Sequence, residues 1–176
     1  MIKVRKPDLG NLQDGVPKDF LEVMGYFNRG LRKGSYLYIP RKNLITPKEI
    51  RTLWLPSIET NICFVAELDE KVIGSATCFF DVASSAYEQA KERKPGEIAL
   101  TVAPDRNHRL VSYGVLSEMI KELRVQNKKA FFHTDSDFQE ERLMMQDLGY
   151  QGRLIREYER YRKAGLSGKV FEYKLS

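Results

Sequence analysis

The segment VAPDRNHRLVSYGVLSEMIKEL, Val102–Leu123, places Arg106, His108 and Arg109 where a strand-like pattern gives way to a helical one. The first turn of a helix carries backbone N–H groups without intrahelical partners, and the helix dipole adds positive potential there. A strand–loop–helix layout is therefore suited to holding a phosphate. Arg106, His108 and Arg109 could contact phosphate oxygens by charge. The loop DRNHRLVS contains no glycine, which removes the easiest route to close backbone approach. The alternative is a solvated polar loop with no ligand. A further titratable group, His133, sits inside the apolar run KAFFHTDSD and is either a packed core residue or a proton acceptor.

The elements that must position these residues are legible in the hydrophobic pattern. IKVRK alternates like a short strand, and after the turn residues DLGNLQDG the segment from Val16 carries Phe20, Met24, Phe27 and Leu31 at helical spacing. That helix should end near Gly30–Gly34. TPKEIRTLW has the marks of a helix start: Thr46 as N-cap, Pro47 in the first turn and Glu49 to close a capping box. Ile50, Leu53 and Trp54 supply its apolar face, and Pro56 stops it. Asn61–Leu68 and Lys71–Phe80 read as strands of a tight hairpin, with only Asp69–Glu70 between them. SSAYEQAKERKPG reads as a polar surface excursion. Glu97–Pro104 is a nearly continuous apolar strand, expected to be buried on both faces. The helix after it presents Val115, Leu116, Met119, Ile120 and Leu123 as one stripe. Lys129–Asp137 is the next strand, followed by an Asp137/Glu140 capping box and a helix ending at Gly149. In the tail, Leu154, Tyr158 and Tyr161 fit helical spacing, whereas VFEYKL reads as a strand. The βαβ portion from Glu97 to Asp137 implies parallel strands joined by a crossover.

At 176 residues, one domain covering residues 1–176 is expected. The longest apolar runs are too short for a bilayer, and MIKVRKPDLG lacks the apolar stretch of a signal peptide. Cys63 and Cys78 both lie in strand-like segments and read as reduced core residues of a cytoplasmic protein. The net charge of +5 comes from scattered basic residues. It fits a pocket for a polyanionic small molecule, with no nucleic-acid or membrane partner expected.

Four pieces together resemble the GNAT superfamily of acyl-CoA-dependent N-acetyltransferases, over essentially the whole chain. FVAELDEKVIGSATC is similar to that family's second and third strands, with Gly74 at the usual place. GEIALTVAP is similar to its fourth strand, VSYGVLSEMIKEL to the helix that follows, and RLMMQDLGY to the segment closing the fourth helix. The resemblance implies an α/β GNAT fold with a mixed central sheet of about seven strands and flanking helices, the tail supplying the sixth and seventh strands. It also implies acetyl-CoA as co-substrate. The family's phosphate loop follows R/Q-x-x-G-x-G/A. An ungapped alignment from Val102 puts Asn107, Leu110 and Ser112 at its fixed positions. A shifted register gives Arg109, Ser112 and Gly114 but needs two extra loop residues and misplaces the helix stripe.

By the same resemblance, Leu100, Thr101 and Val102 line the pantetheine arm, and Asn107, His108, Arg109, Leu110, Val111 and Ser112 surround the pyrophosphate. Glu97 stands where many members carry a glutamate base, and His133 is a second candidate. An attacking ammonium titrates near ~10.4, so some base must take its proton. The family's tyrosine acid aligns with Met145, and an asparagine earlier in that helix aligns with Phe138; Tyr113 or Tyr150 could substitute for the acid. The acceptor would be a small-molecule or peptide amine entering near Trp54, Phe27 and Tyr36. No metal site is expected, and a homodimer is left open. The implied function is transfer of acetyl from acetyl-CoA to an amine. The alternatives are a GNAT-fold binding or regulatory module without transfer, and an enzyme taking a longer acyl chain or an unusual amine.

Overall fold

The computed structural model describes residues 1–33, 44–55, 58, 60–80, 95–104, 106–135, 139–159 and 167–175. In chain order its elements are β1 (Lys3–Arg5), β2 (Leu12–Gln13), β3 (Val16–Pro17), α1 (Lys18–Lys33), α2 (Pro47–Glu49), β4 (Ile62–Leu68), β5 (Lys71–Phe79), β6 (Glu97–Val102), α3 (His108–Val125), β7 (Ala130–Asp135), α4 (Gln139–Asp147), β8 (Arg153–Glu159) and β9 (Ser167–Leu175). Seven strands form a mixed sheet in the order β1-β4-β5-β6-β7-β9-β8, while β2 and β3 make a small hairpin of their own. All neighbours in the large sheet run antiparallel except β6 and β7. That parallel pair is joined through α3, because parallel strands need a long connection.

Alternation along the strands assigns the two faces. Ser75 and Thr101 are register partners and meet Tyr26 of α1. Gly74 and Val102, one residue along each strand, turn to the opposite face, where Val111 of α3 packs. On that side Val115, Leu116, Met119, Ile120 and Leu123 are all buried, as their spacing predicts. On the other side Phe20, Val23, Tyr26 and Phe27 of α1 are buried. The sheet is thus covered on both sides over β4–β6.

Local signals account for several boundaries. Thr46 and Glu49 form the reciprocal capping box, and the helix then widens into a π-helical turn over Ile50–Trp54. The β4–β5 turn places Asp69 and Glu70 at φ 51° and 61°, the two left-handed positions of a tight hairpin turn. The helix read from Val16 starts two residues later, after the β2–β3 hairpin. The tail forms β8 and β9 rather than a helix. β9 gains a hydrogen-bonded neighbour on each side, and that pairing overrides the helix propensity of its Glu- and Arg-rich approach.

β6 differs from its expected double burial: Ile98 and Val102 are buried, and the other four residues are half-buried. The reason is incomplete pairing. Among the described residues the parallel register covers Glu97↔Phe131 and Ile98↔Phe132, although both strands continue beyond. Cys63 and Cys78 are free and buried, and burial pushes their thiols up to about 11 and about 12. Among the described residues no helix is long and apolar enough to cross a membrane. Tyr36, Pro56, the excursion over 81–94, Asp137, Phe138 and Tyr161 lie outside the described residues, as do the side chains of Leu31, Leu53, Trp54 and Tyr158.

Candidate active site

β6 is fixed at its start by Gly96. Its N–H donates to the Phe79 carbonyl at 2.7 Å, and its carbonyl accepts from the Phe131 N–H at 2.9 Å. With φ at +93°, and with the Lys129 carbonyl 2.8 Å from where a Cβ would stand, only glycine fits this clamp. Glu97 follows immediately and so is held between β5 and β7.

Strand register then lines up four ionisable side chains on the α1 face. Glu97 pairs with Phe131 across the parallel ladder, so His133, two residues on, shares its face. His133 pairs with Glu172 on β9, and Glu172 with Arg153 on β8. The row is continuous. His133 Nδ1 lies 3.3 Å from Glu97 Oε1, and His133 Nε2 lies 3.4 Å from Glu172 Oε2. Arg153 donates to Glu172 Oε1 at 3.1 Å. The Phe131 ring tilts against the imidazole at 5.1 Å between centroids. Burial alone would raise the Glu172 carboxyl, but the hydrogen bonds from His133 and Arg153 outweigh it and hold it below the usual carboxylate value. Glu97 and Glu172 are mostly covered, with side chains 19% and 12% exposed.

Beyond Ile98 the two parallel strands part, and Leu100, Thr101 and Val102 lie on the parted stretch of β6. Val102 is buried and Leu100 half-buried. Thr101 belongs to a cluster of hydroxyls: Tyr26 lies 3.1 Å from Ser75 Oγ and 3.1 Å from Thr101 Oγ1, and those two are 2.8 Å apart. Tyr26 also donates to the Thr101 carbonyl at 3.4 Å. This cluster fixes the parted half of β6 onto α1.

At the start of α3, Asn107 is the N-cap, and its side-chain oxygen accepts from the Leu110 N–H at 3.0 Å. One first-turn donor is thereby used internally. The amides of His108 and Arg109 have no partner among the described residues. Arg106 is exposed and makes no ion pair there. The two other basic side chains turn towards α4. Arg109 pairs with Asp147, while His108 Nδ1 meets Ser112 Oγ at 3.3 Å and its Nε2 lies 3.6 Å from Glu141. Burial lowers the His108 imidazole and pushes Glu141 up to about 8, so each favours its neutral form. Leu110 is exposed, Ser112 buried, and Val111 buried against Gly74, where an added Cβ would meet Val111 Cγ1 at 2.4 Å. Gly74 is what lets the start of α3 sit this close to the sheet.

Met145 is fully buried and offers no proton. The Tyr150 hydroxyl accepts from Arg124 at 3.2 Å, at the far end of α3 from its N-cap Asn107. Tyr113 is exposed on α3, and Phe27 is a core residue. Of the expected residues, the structure brings Glu97 and His133 together. It places the α3 start and the parted strand end at the opposite end of β6. Sequence reading missed Glu172, Arg153 and Tyr26. The only sequence signal of Glu172 and Arg153 is alternation within strands, and that of Tyr26 is its place in a helix; neither carries information about what lies opposite.

Comparison with solved structures identifies the architecture. An N-acetyltransferase from Staphylococcus aureus Mu50 superposes with a TM-score of 0.72 at 14% identity, covering 100% of this chain and 99% of that one. A ribosomal-protein-alanine N-acetyltransferase from Brucella melitensis gives 0.70 at 15% identity, with 98% of each chain covered. A GNAT superfamily phosphinothricin acetyltransferase from Sinorhizobium meliloti, in complex with AcCoA, gives 0.72 at 11% identity, covering 99% and 89%. No family model matches the sequence, and no curated protein matches it. The chain has the fold of the GNAT acetyltransferases.

Proposed function

We propose that the protein is an N-acetyltransferase that moves an acetyl group from acetyl-CoA to an amine of a small molecule or peptide. The observation that carries this reading is Glu97, half-buried at the head of β6 and backed by His133, on the strand whose far end parts from β7 and leads into the first turn of α3. Acetyl-CoA would supply an activated acyl thioester. The amides of His108 and Arg109, with the exposed Arg106, suit its phosphates, and the stretch of β6 beyond its register with β7 suits an extended amide-bearing arm. Glu97 would take the proton of the acceptor ammonium, directly or through a water. A leaving thiolate with a conjugate acid near ~8.5 needs little protonation, so a buried Met145 in place of an acid is tolerable. We take the acting unit to be the whole chain as one cytoplasmic domain. The acyl chain length and the acceptor are open to test.

A second reading, a binding or regulatory module on the same fold, is favoured by the α3 start: Asn107 occupies one amide and Asp147 holds Arg109. Thermal melting with acetyl-CoA separates them from a protein with no CoA site, since a ligand that binds only the native state raises Tm. No rise at millimolar acetyl-CoA sinks the acetyltransferase and leaves only a module that does not bind CoA. Glu97→Gln should then keep the Tm rise and lose about 100-fold or more in turnover against pooled amines. A wild type that shows the rise but consumes no acetyl-CoA supports the module.

A further inference from the structure

We propose that His133 relays the proton from Glu97, and that Glu172, anchored by Arg153, is the positioning residue that fixes the His133 tautomer. This rests on the acetyltransferase reading of the same site.

A neutral imidazole carries one N–H and one lone pair. His133 has a carboxylate at each nitrogen, Glu97 at Nδ1 and Glu172 at Nε2. The two carboxylates are not equivalent. Glu172 is covered and its other oxygen is engaged by Arg153, so it stays an acceptor and demands a hydrogen on Nε2. Glu97 has no such cation on it among the described residues. The Nε2–H tautomer therefore leaves the Nδ1 lone pair facing Glu97, ready for whatever proton Glu97 collects. The separations of 3.3 and 3.4 Å are long but within reach, and such contacts tighten when substrate closes a site. Ring orientation is further fixed by Phe131 at 5.1 Å.

Glu97 takes one proton of the acceptor ammonium and passes it to His133 Nδ1. The neutral nitrogen then forms the N–C bond with the acyl carbon while the C–S bond breaks and sulfur leaves with the electron pair. The second nitrogen proton is taken up by that sulfur, directly or through solvent, giving the thiol. The His133 imidazolium donates to carboxylates on both sides, and Glu97 returns to its ionised form. Moving the proton one residue away stops it from returning to the nitrogen. The three groups share the work that a single strand-end carboxylate would otherwise do alone, in the manner of a base oriented by a third residue.

The test is nitrogen-15 NMR of the imidazole rings together with steady-state kinetics. The chain has only two histidines, so His133→Gln assigns the signals. The wild type is expected in the Nε2–H form. Glu172→Gln, whose amide can donate to Nε2, should shift the ring towards Nδ1–H. It should also lower kcat by roughly 10–100-fold while KM for acetyl-CoA holds. Arg153→Gln, at a side chain 70% exposed, keeps the fold and should give a smaller loss in the same direction. A wild type that transfers acetyl but carries Nδ1–H, or a Glu172→Gln variant with unchanged tautomer or kcat, overturns the relay and leaves the acetyltransferase standing. A wild type that keeps Nε2–H but neither binds acetyl-CoA nor consumes it overturns the acetyltransferase reading and the relay with it.

Discussion

Burial against α3 turns Glu141 into a carboxyl that prefers its proton: it rises from an ordinary 4.5 to about 8. The sign of the consequence follows from linkage. Between those values the folded state binds more protons than the unfolded chain, so stability is full below about 4.5 and drains away as pH climbs towards about 8. The loss is at most about 1.4 kcal/mol per pH unit. Glu141→Gln should flatten that slope and raise Tm at alkaline pH, which melts across the window will read directly. An unchanged slope would mean that the carboxyl is charged where it sits. His108 stands on the other side of this contact. Its own preference for neutrality makes the pair a poor ion pair, so His108 adds little fixed charge to the first turn of α3.

The way α3 meets the sheet is an element-scale matter and turns on Gly74. Gly74→Ala pushes a methyl into Val111 on a β-branched, buried position with nowhere to swing. Overpacking of this kind costs about 1–3 kcal/mol, and here it should also tilt the α3 start and weaken acetyl-CoA binding. Urea unfolding and calorimetric titration measure the two effects. Tyr26→Phe removes the hydroxyl that joins Ser75 and Thr101 and should cost about 1–3 kcal/mol. Faster amide exchange along the Thr101 end of β6 is its companion signature. At this scale the sequence was informative wherever a signal is local. The Thr46/Glu49 box, the α3 stripe and the Asp69–Glu70 hairpin are written in neighbouring residues, and they appear where those residues put them. The tail was ambiguous because Leu154, Tyr158 and Tyr161 repeat at helical spacing, while the deciding pairings, β8 with β9 and β9 with β7, are made with segments distant in the chain. Glu97 and His133 could each be singled out as titratable groups, but Glu172 and Arg153 could not. Register across three strands is a tertiary fact, and nothing in VFEYKL says which residue it will face.

For the molecule as a whole, the short first strand is secured by charge as well as by the packing of Ile2 and Val4 against the core. Arg5 bridges α1 through Asp19 and β4 through Glu67, and Lys6 reaches Glu122 on α3. Burial raises Asp19, but hydrogen bonds from Arg5 and the Asp8 amide outweigh it and hold the carboxyl below 3.8. A depressed carboxylate contributes stability above its unfolded value and loses it as pH falls, so this cluster loosens in acid while Glu141 loosens in base. Asp19→Ala should cost about 3 kcal/mol and remove that acid-side slope, as chemical unfolding at several pH values would reveal. The sheet order carries one more consequence. β9 follows both of its neighbours in the sequence yet lies between them, pairing with β7 on one side and β8 on the other. A chain emerging from its N-terminus therefore holds β7 and β8 without their shared neighbour until the β9 segment has been made. The same segment delivers Glu172 to the charged row. Closure of the sheet between β7 and β8 and completion of the row of ionisable side chains therefore come with one and the same strand.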